Sequence, residues 1–466
     1  MRQAAIGCLS RYFKIDKEEI MSFDLITTSW DGEIKQTDSA LAFKPDIDGD
    51  ERGLLNLYPE VKFQELYGFG GAFTEATGYV LGKMPQAERD NIMNAYFGVG
   101  GIGYRYGRAH IDSCDFSLGN YSAVSDPSDR ELNSFSLKRD EQHIIPFIKQ
   151  AGELAGCKIK MMLSPWSPPA YMKTNGDKNH GGELMLEYYE IWAKYMVRYV
   201  QEYRRHGVEV EMLSLQNEPK ATQTWDSCIY SAEQERDHIR EFLAPAFISA
   251  GVEMPKLFIW DHNRERSYER ATVVLGDDRV AGLASGVAVH WYSGDYFESL
   301  ELLKKRFPDH RIIFSEGCVE YSNADKNNQT GNAEHYAHDI IGNLNAGLDT
   351  FIDWNLVLDK DGGPNHVGNN CDAPIMCDTD NGTWWKNLSY HYIGHFSKFI
   401  RPGAVRIGFS RYTELLETTA FINTDGEIGV VMLNRNDDEL PVILRLENQI
   451  CKIDLPSHSI STALIR

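Results

Sequence analysis

Short runs of apolar and β-branched residues recur along the chain, and each ends in polar or aromatic residues. They are Tyr67–Glu75 (YGFGGAFTE), Tyr104–Asp112 (YRYGRAHID), Cys157–Trp166 (CKIKMMLSPW), a run from about Val210 into "MLSLQNEP", Lys256–His262 (KLFIWDH), Gly286–Tyr292 (GVAVHWY), Arg311–Gly317 (RIIFSEG) and Thr350–Leu356 (TFIDWNL). A helical pattern follows most of them. Pro85 suits a first helical turn, and a helix is expected over Asp140 to Leu154. Tyr188, Ile191, Trp192, Tyr195, Met196, Tyr199 and Val200 form a stripe at i, i+3, i+4, i+7. Ser231 with Gln234 reads as a capping box. Helices over Phe297 to Phe307, Glu334 to Leu348 and Tyr390 to Ile400 complete the series. Eight such units imply a parallel sheet closed into a (β/α)8 TIM barrel with long loops. The glycines of "GFGGAF" suit a barrel strand that another backbone approaches closely.

The two ends of the chain read differently. From about Ala404, runs such as "TTAFINTDGEIGVVMLN" and "LPVILRLE" are split by Asp-Gly and Asn-Asp turn signals, and Phe23 to Val61 looks similar. These patterns predict antiparallel strands. The expected organisation is an N-terminal segment and first sandwich strands over 1–62, a barrel over 63–400, and the rest of the sandwich over 401–466. That makes a side antiparallel β-sandwich domain formed from both termini. The run "DIDGDE" at Asp46 has its glycine too early for a calcium loop and reads as a turn.

Composition narrows the partners. The chain of 466 residues carries 47 basic against 68 acidic side chains, a formal net charge of −21. Such a surface repels nucleic acid and anionic membranes and suits a neutral substrate. The 23 Tyr and 9 Trp fit a large core first, and otherwise a cleft in which their flat faces stack on sugar rings. None of the eight cysteines shows C-x-x-C spacing. The first twenty residues lack a sustained apolar stretch, so no signal peptide or transmembrane helix is expected there, and the expected compartment is the cytoplasm.

In a barrel of this type chemistry sits at the C-terminal ends of the strands. Those ends carry Glu75, His110 with Asp115, Trp166, Asn217 with Glu218, Asp261 with His262, His290 with Trp291 and Tyr292, Glu316, and Trp354. Glu218 and Glu316 each close an apolar run. Burial raises a carboxylate pKa, and a second carboxylate nearby raises one of the pair further. One protonated acid beside one ionised carboxylate is what glycoside hydrolysis needs; two unrelated capping or ion-pairing glutamates would fit the pattern equally. A metal held by His110, Asp112, Cys114 and Asp115 is the weaker reading of the same rim, and no metal or cofactor is expected.

The motifs "GFGGAFTEA", "GRAHIDSCDFS", "SPWSPPAYMKTNG", "LSLQNEP", "AVHWY", "FSEG", "DWNL", "GGPNHVGN" and "GHFSKFIRPGAVRIG" occur in that order. With them the chain resembles glycoside hydrolase family 30, the group containing the glucosylceramidases, over nearly its whole length. The resemblance implies a retaining β-glycosidase in which Glu218 is the general acid/base and Glu316 the nucleophile. The carboxyl groups of such a pair stand about 5–5.5 Å apart. It further implies that Asn217 meets the sugar 2-hydroxyl and that Tyr292 hydrogen-bonds Glu316. Asp115, Trp166 and Trp354 would hold the 3- and 4-hydroxyls, Asn369 would lie toward positions 4 to 6, and Arg108 and His290 would orient the carboxylates from behind. Trp225, Trp384 and Trp385 are candidates for an aglycone platform. Mammalian glucosylceramidases carry a tryptophan and an arginine where this chain has His366 and Gly368. That difference leaves glucose, quinovose, fucose and xylose open. An exo-acting β-glucosidase of the glucosylceramidase type is the first expectation. An endo-β-glucanase or xylanase of the same family is the second, and a non-catalytic sugar-binding protein the third.

Overall fold

The computed structural model describes residue 21 and residues 23–37 and 42–466. The expectation for the first twenty residues lies outside them. Eight parallel strands close into a barrel: β1 (Gly68–Ala72), β2 (Tyr106–Ile111), β3 (Lys160–Pro165), β4 (Glu209–Ser214), β5 (Lys256–Asn263), β6 (Ala284–His290), β7 (Arg311–Glu316) and β8 (Thr350–Asn355). Helices α1 (Gln86–Phe97), α2 (Ile145–Ala155), α3 (Tyr189–Arg205), α4 (Ala232–His238), α5 (Ser267–Val274), α6 (Phe297–Arg306), α7 (Gln329–Asn345) and α8 (Leu388–Ser397) follow the strands in turn. The capping box at Ser231 and Gln234 opens α4. The stripe on α3 is buried from Tyr189 through Tyr203. The helix expected over Asp140–Leu154 is broken: Ile144 interrupts it between Lys138–His143 and α2. Pro146 at the start of α2 explains the break, since it cannot donate to the preceding turn.

β1 is glycine-rich for a steric reason. A Cβ at Gly70 would come within 2.0 Å of the Tyr106 carbonyl oxygen on β2, so the two backbones approach only because no side chain intervenes.

The sandwich takes strands from both ends of the chain. Its ten-stranded sheet runs Ile34–Thr37, Phe23–Ser29, Ser459–Ile465, Ile428–Asn434, Leu416–Ile422, Ala404–Arg411, Leu54–Leu66, Leu440–Leu446, Gln449–Leu455, Lys44–Pro45. Phe23 on the second strand meets Phe43, beside the last, edge to face at 5.5 Å. The sheet therefore folds over on itself around one apolar core that includes Leu25, Leu55, Val442 and Ile465. One pairing departs from the antiparallel expectation: Leu440–Leu446 lies parallel to Leu54–Leu66. None of the described helices is long and apolar enough to cross a membrane.

Inside the barrel, Tyr106, Met162, Met212, Phe258, Ala288, Ile313 and Ile352 form a dry plug. Side chains two residues further along a strand face the same interior. Two steps up from that plug stand Arg108, Ser164, Ser214, His290, Ser315 and Trp354, the floor of the site.

Candidate active site

Arg108 on β2 organises the floor. It is fully buried, and its guanidinium gives Nη1–H to Glu316 Oε2 at 2.5 Å, Nη2–H to Asp261 Oδ2 at 2.7 Å and to Asn217 Oδ1 at 2.8 Å, and Nε–H to Ser164 Oγ at 3.2 Å. One face of the guanidinium lies over Trp166 at 4.7 Å. Trp166 in turn stacks on Trp354, with centroids 5.2 Å apart. The fork orients Asn217 by its carbonyl oxygen, which leaves the amide N–H groups as the donors on offer.

Asp261 is held by Ser214 and Ser315, each hydroxyl donating at 2.6 Å, and by His290 Nε2 at 3.1 Å. Burial opposes its charge, but Arg108 and His290 outweigh burial and hold it far below the ordinary carboxylate range. A simple period of two points Phe258 and Trp260 inward and Asp261 away. The β5–β6 register shifts between Ala288, which pairs with Trp260, and Val289, which pairs with His262. Trp260 and Asp261 both adopt positive φ. This bulge turns Asp261 into the barrel.

Both expected catalytic carboxylates likewise arrive on irregular backbone. The β6–β7 register shifts between Val289, paired with Phe314, and His290, paired with Glu316, so consecutive Ser315 and Glu316 both serve the interior. Glu218 follows β4 with φ of 46°, a left-handed conformation rare for a non-glycine residue, and its N–H donates to the Asp261 carbonyl at 2.8 Å. Gln216 braces this turn by donating to the carbonyl oxygens of Trp166 and Asn217.

The charge state of the pair differs from the expectation that burial leaves Glu218 protonated. Glu316 Oε1 accepts from the Tyr292 hydroxyl at 3.0 Å while Oε2 accepts from Arg108. Burial raises its pKa above the ordinary glutamate value, His290 and Arg108 oppose, and Glu218 adds to the rise. Its oxygens are met by donors, which favours the anion. Glu218 Oε1 lies 3.1 Å from His290 Nδ1 and 3.7 Å from His262 Nδ1. Burial pushes Glu218 up, but the two histidines outweigh it and hold it at about 2. Burial alone would lower His290; the carboxylates of Glu316, Asp261 and Glu218 lift it to about 9. Across their 3.1 Å contact Glu218 is thus drawn toward the anion and His290 toward the cation.

Above the floor is a pocket of about 130 Å³ lined by Glu218, Glu316, Tyr292, Trp166, Trp354, Asp115 and Asn369, with Phe116, Gln223, Trp225, His262, Asn263, Cys318, Glu320 and Cys371 completing its wall. Asp115 accepts from Asn365 Nδ2 at 3.1 Å and is pushed well above its ordinary pKa, by burial first and the nearby Glu316 second. Asn369 donates to Glu320 at 3.4 Å. His366 turns away from the pocket and clamps the Asp115 carbonyl through its N–H, at 3.1 Å, with Nδ1 at 3.0 Å from the same oxygen.

Several strand-end residues are not at the pocket. Glu75 opens a helix (Glu75–Lys83) capped by Thr74, and its carboxylate is taken by Arg139 and the Leu118 N–H. His110 spends its ring nitrogens on the Glu75 N–H and the Asp112 carbonyl. Asp112 faces Tyr195 and Lys178. Trp291 packs on His335 and Tyr336. Of the loop tryptophans only Trp225 lines the pocket. Trp384 donates to Glu88 on α1, and Trp385 donates to Asn387. Sequence reasoning named Asp261 and His262 only as strand ends, and it missed Gln216, Glu320, Asn365, Cys371 and the three serines. The serines carried a signal, since each sits two residues above a plug residue.

Comparison with known proteins agrees with this architecture. Residues 66–400 match the glycosyl hydrolase family 30 TIM-barrel domain, and residues 403–463 match the family's β-sandwich domain. The chain is 34% identical over 409 residues to the lysosomal acid glucosylceramidase of Mus musculus, covering 84% of this chain and 79% of that one. Among solved structures, SrfJ from Salmonella typhimurium superimposes with a TM-score of 0.90 at 39% identity, covering 95% of this chain and 99% of the other. An endo-β-1,6-glucanase superimposes at 0.84 with 26% identity, covering 95% and 99%. With both domains matched and the two glutamates facing one pocket, the chain belongs to glycosyl hydrolase family 30 and is a hydrolase of O-glycosyl bonds.

Proposed function

We propose that the chain is an exo-acting, retaining β-glucosidase of the glucosylceramidase type, working by double displacement. The observation that carries this reading is the unequal setting of two buried glutamates at one pocket. Glu316 is gripped as an anion by Arg108 and Tyr292, and Glu218 shares a proton with His290.

In the first step Glu316 attacks the anomeric carbon while the proton passes from His290 Nδ1 through Glu218 to the departing glycosidic oxygen. The Glu218–His290 pair has then lost its proton and Glu316 is an ester. With His290 now neutral beside it, the Glu218 carboxylate acts as base toward an incoming water, and the proton it gains restores the pair. Tyr292 holds Oε1 and Arg108 holds Oε2, so the one on the attacking oxygen must release it and recapture the carboxylate at turnover. The Asn217 amide N–H groups are the donors for a sugar 2-hydroxyl, a contact that strengthens in the transition state.

Exo action on a glucoside is supported by the small pocket of about 130 Å³, whose wall includes Asp115, Asn369 and Glu320, and by the likeness to a glucosylceramidase. A second reading, endo action on a β-1,6-glucan, is supported by the superposition on an endo-β-1,6-glucanase. The products decide between them: nitrophenyl β-glucoside hydrolysis with glucose as sole product from β-1,6-linked oligosaccharides favours the first, internal cleavage the second. Glu316→Gln should abolish release from every nitrophenyl β-glycoside the wild type hydrolyses. Equal release by both proteins refutes the catalytic assignment.

A further inference from the structure

The acid/base corner of the pocket has a second chemical character. Glu218, His262 and His290 each offer one ligand atom, and these atoms lie within 4.8 Å of one another; among the described residues no other trio of His, Cys, Asp and Glu does so. Two histidines and a glutamate are a donor set that zinc takes with three protein ligands and one open position.

The distances suit that use. Two ligands of a tetrahedral zinc, each at about 2.0–2.1 Å, stand about 3.3 Å apart. Glu218 Oε1 is 3.1 Å from His290 Nδ1 and 3.7 Å from His262 Nδ1, both close to that spacing, and all three ligand atoms lie within 4.8 Å of one another, so the rings close onto one ion by side-chain rotation. Two features prepare the histidines. The far nitrogen of His290 faces Asp261 Oδ1 at 3.1 Å, the carboxylate–histidine arrangement that aims a metal-ligating ring. His262 is oriented by packing on Trp260, at 4.9 Å between centroids, and its buried Nδ1 makes no hydrogen bond. The fold aims a bare imidazole nitrogen at Glu218. The fourth position opens to the pocket, which His262 lines.

We propose that Glu218, His262 and His290 form an inhibitory binding site for a divalent transition-metal cation of the zinc type. The cation takes the place of the proton on the Glu218–His290 contact. With its carboxylate committed to the metal, Glu218 can neither protonate a leaving group nor activate water. Magnesium, which prefers six oxygen ligands, is excluded by the two imidazoles. The binding half stands on the donor geometry alone; the inhibition half rests on the proposed role of Glu218.

Zinc chloride titrated into the full chain against a chromogenic chelator tests the site without reference to activity. The expected result is one zinc per chain, unaffected by excess magnesium, with affinity weakened at least about tenfold in both His262→Ala and Glu218→Gln. Thermal melting checks that each variant is folded, and Glu218→Gln, nearly isosteric, serves if His262→Ala fails that check. Hydrolysis of a nitrophenyl β-glucoside by the wild type should fall over the same zinc range and return with a chelator. Zinc uptake that is absent, or equal in wild type and both folded variants, overturns the site. Zinc bound in a His262-dependent way without slowing hydrolysis overturns the inhibition. A protein that binds zinc as expected but hydrolyses no glycoside keeps the site and refutes the proposed function instead.

Discussion

Arg108→Lys is the sharpest perturbation of the floor beneath the two glutamates. The guanidinium makes four hydrogen bonds at once, to Glu316, Asp261, Asn217 and Ser164, with no exposure to water. A lysine ammonium keeps the charge but cannot span the fork, so it serves one carboxylate and leaves the other short of its donor. Three of the four contacts lapse, and at about 1 kcal/mol each, the low end of the usual range for a buried group left without its partner, the loss is about 3 kcal/mol. If Glu316 loses its hold, that loss falls on the transition state, and kcat/KM for a nitrophenyl β-glucoside should drop about a hundredfold. Stability should suffer less visibly. An unfolding entropy of about 2.1 cal/mol/K per residue over 466 residues gives about 1 kcal/mol per degree, so Tm should fall by about 3 °C. Steady-state kinetics beside differential scanning calorimetry separate the two effects. A variant with kcat/KM within about twofold of wild type would refute the claim that the fork fixes Glu316, the proposed nucleophile.

Three further outcomes are expected. The pH profile of kcat/KM should be bell-shaped, since the proposed double displacement needs Glu316 ionised and the Glu218–His290 pair protonated. Its alkaline limb should lie at about 9, where His290 loses its proton, and its acid limb above the ordinary glutamate value, because Glu316 is raised; a flat profile through pH 9 speaks against proton storage on His290. Tyr292→Phe removes the 3.0 Å donor to Glu316, which should cut kcat/KM about tenfold and move the acid limb upward, whereas an unmoved limb denies the contact any role in tuning the nucleophile. Gly70→Ala places a methyl within 2.0 Å of the Tyr106 carbonyl and should cost about 3 kcal/mol or prevent folding; an unchanged Tm contradicts the close approach of β1 and β2.

Much of this protein was determined by sequence alone. The repeat of apolar runs and helical stripes specifies eight strands and all the intervening helices but Ser267–Val274, because burying one face at a period of two or 3.6 is a local property of the chain. The strand-end positions of Glu218, Glu316, Tyr292, Trp166 and Trp354 follow from where each run stops, and the motifs around them mark the family. Only tertiary structure decided how these residues act. Asp261 enters the barrel through a bulge defined by its neighbour strand's register, and Glu316 sits beside Ser315 on the interior through another. Arg108 joins four residues from four different strands and loops. The pull on Glu218 toward the anion, against the rise that burial alone would give, comes from His262 and His290, which reach it from β5 and β6. A pattern along one strand carries no information about register slips against the next strand. A carboxylate's charge in a dry site depends on every ion within a few ångströms, most of them distant in sequence.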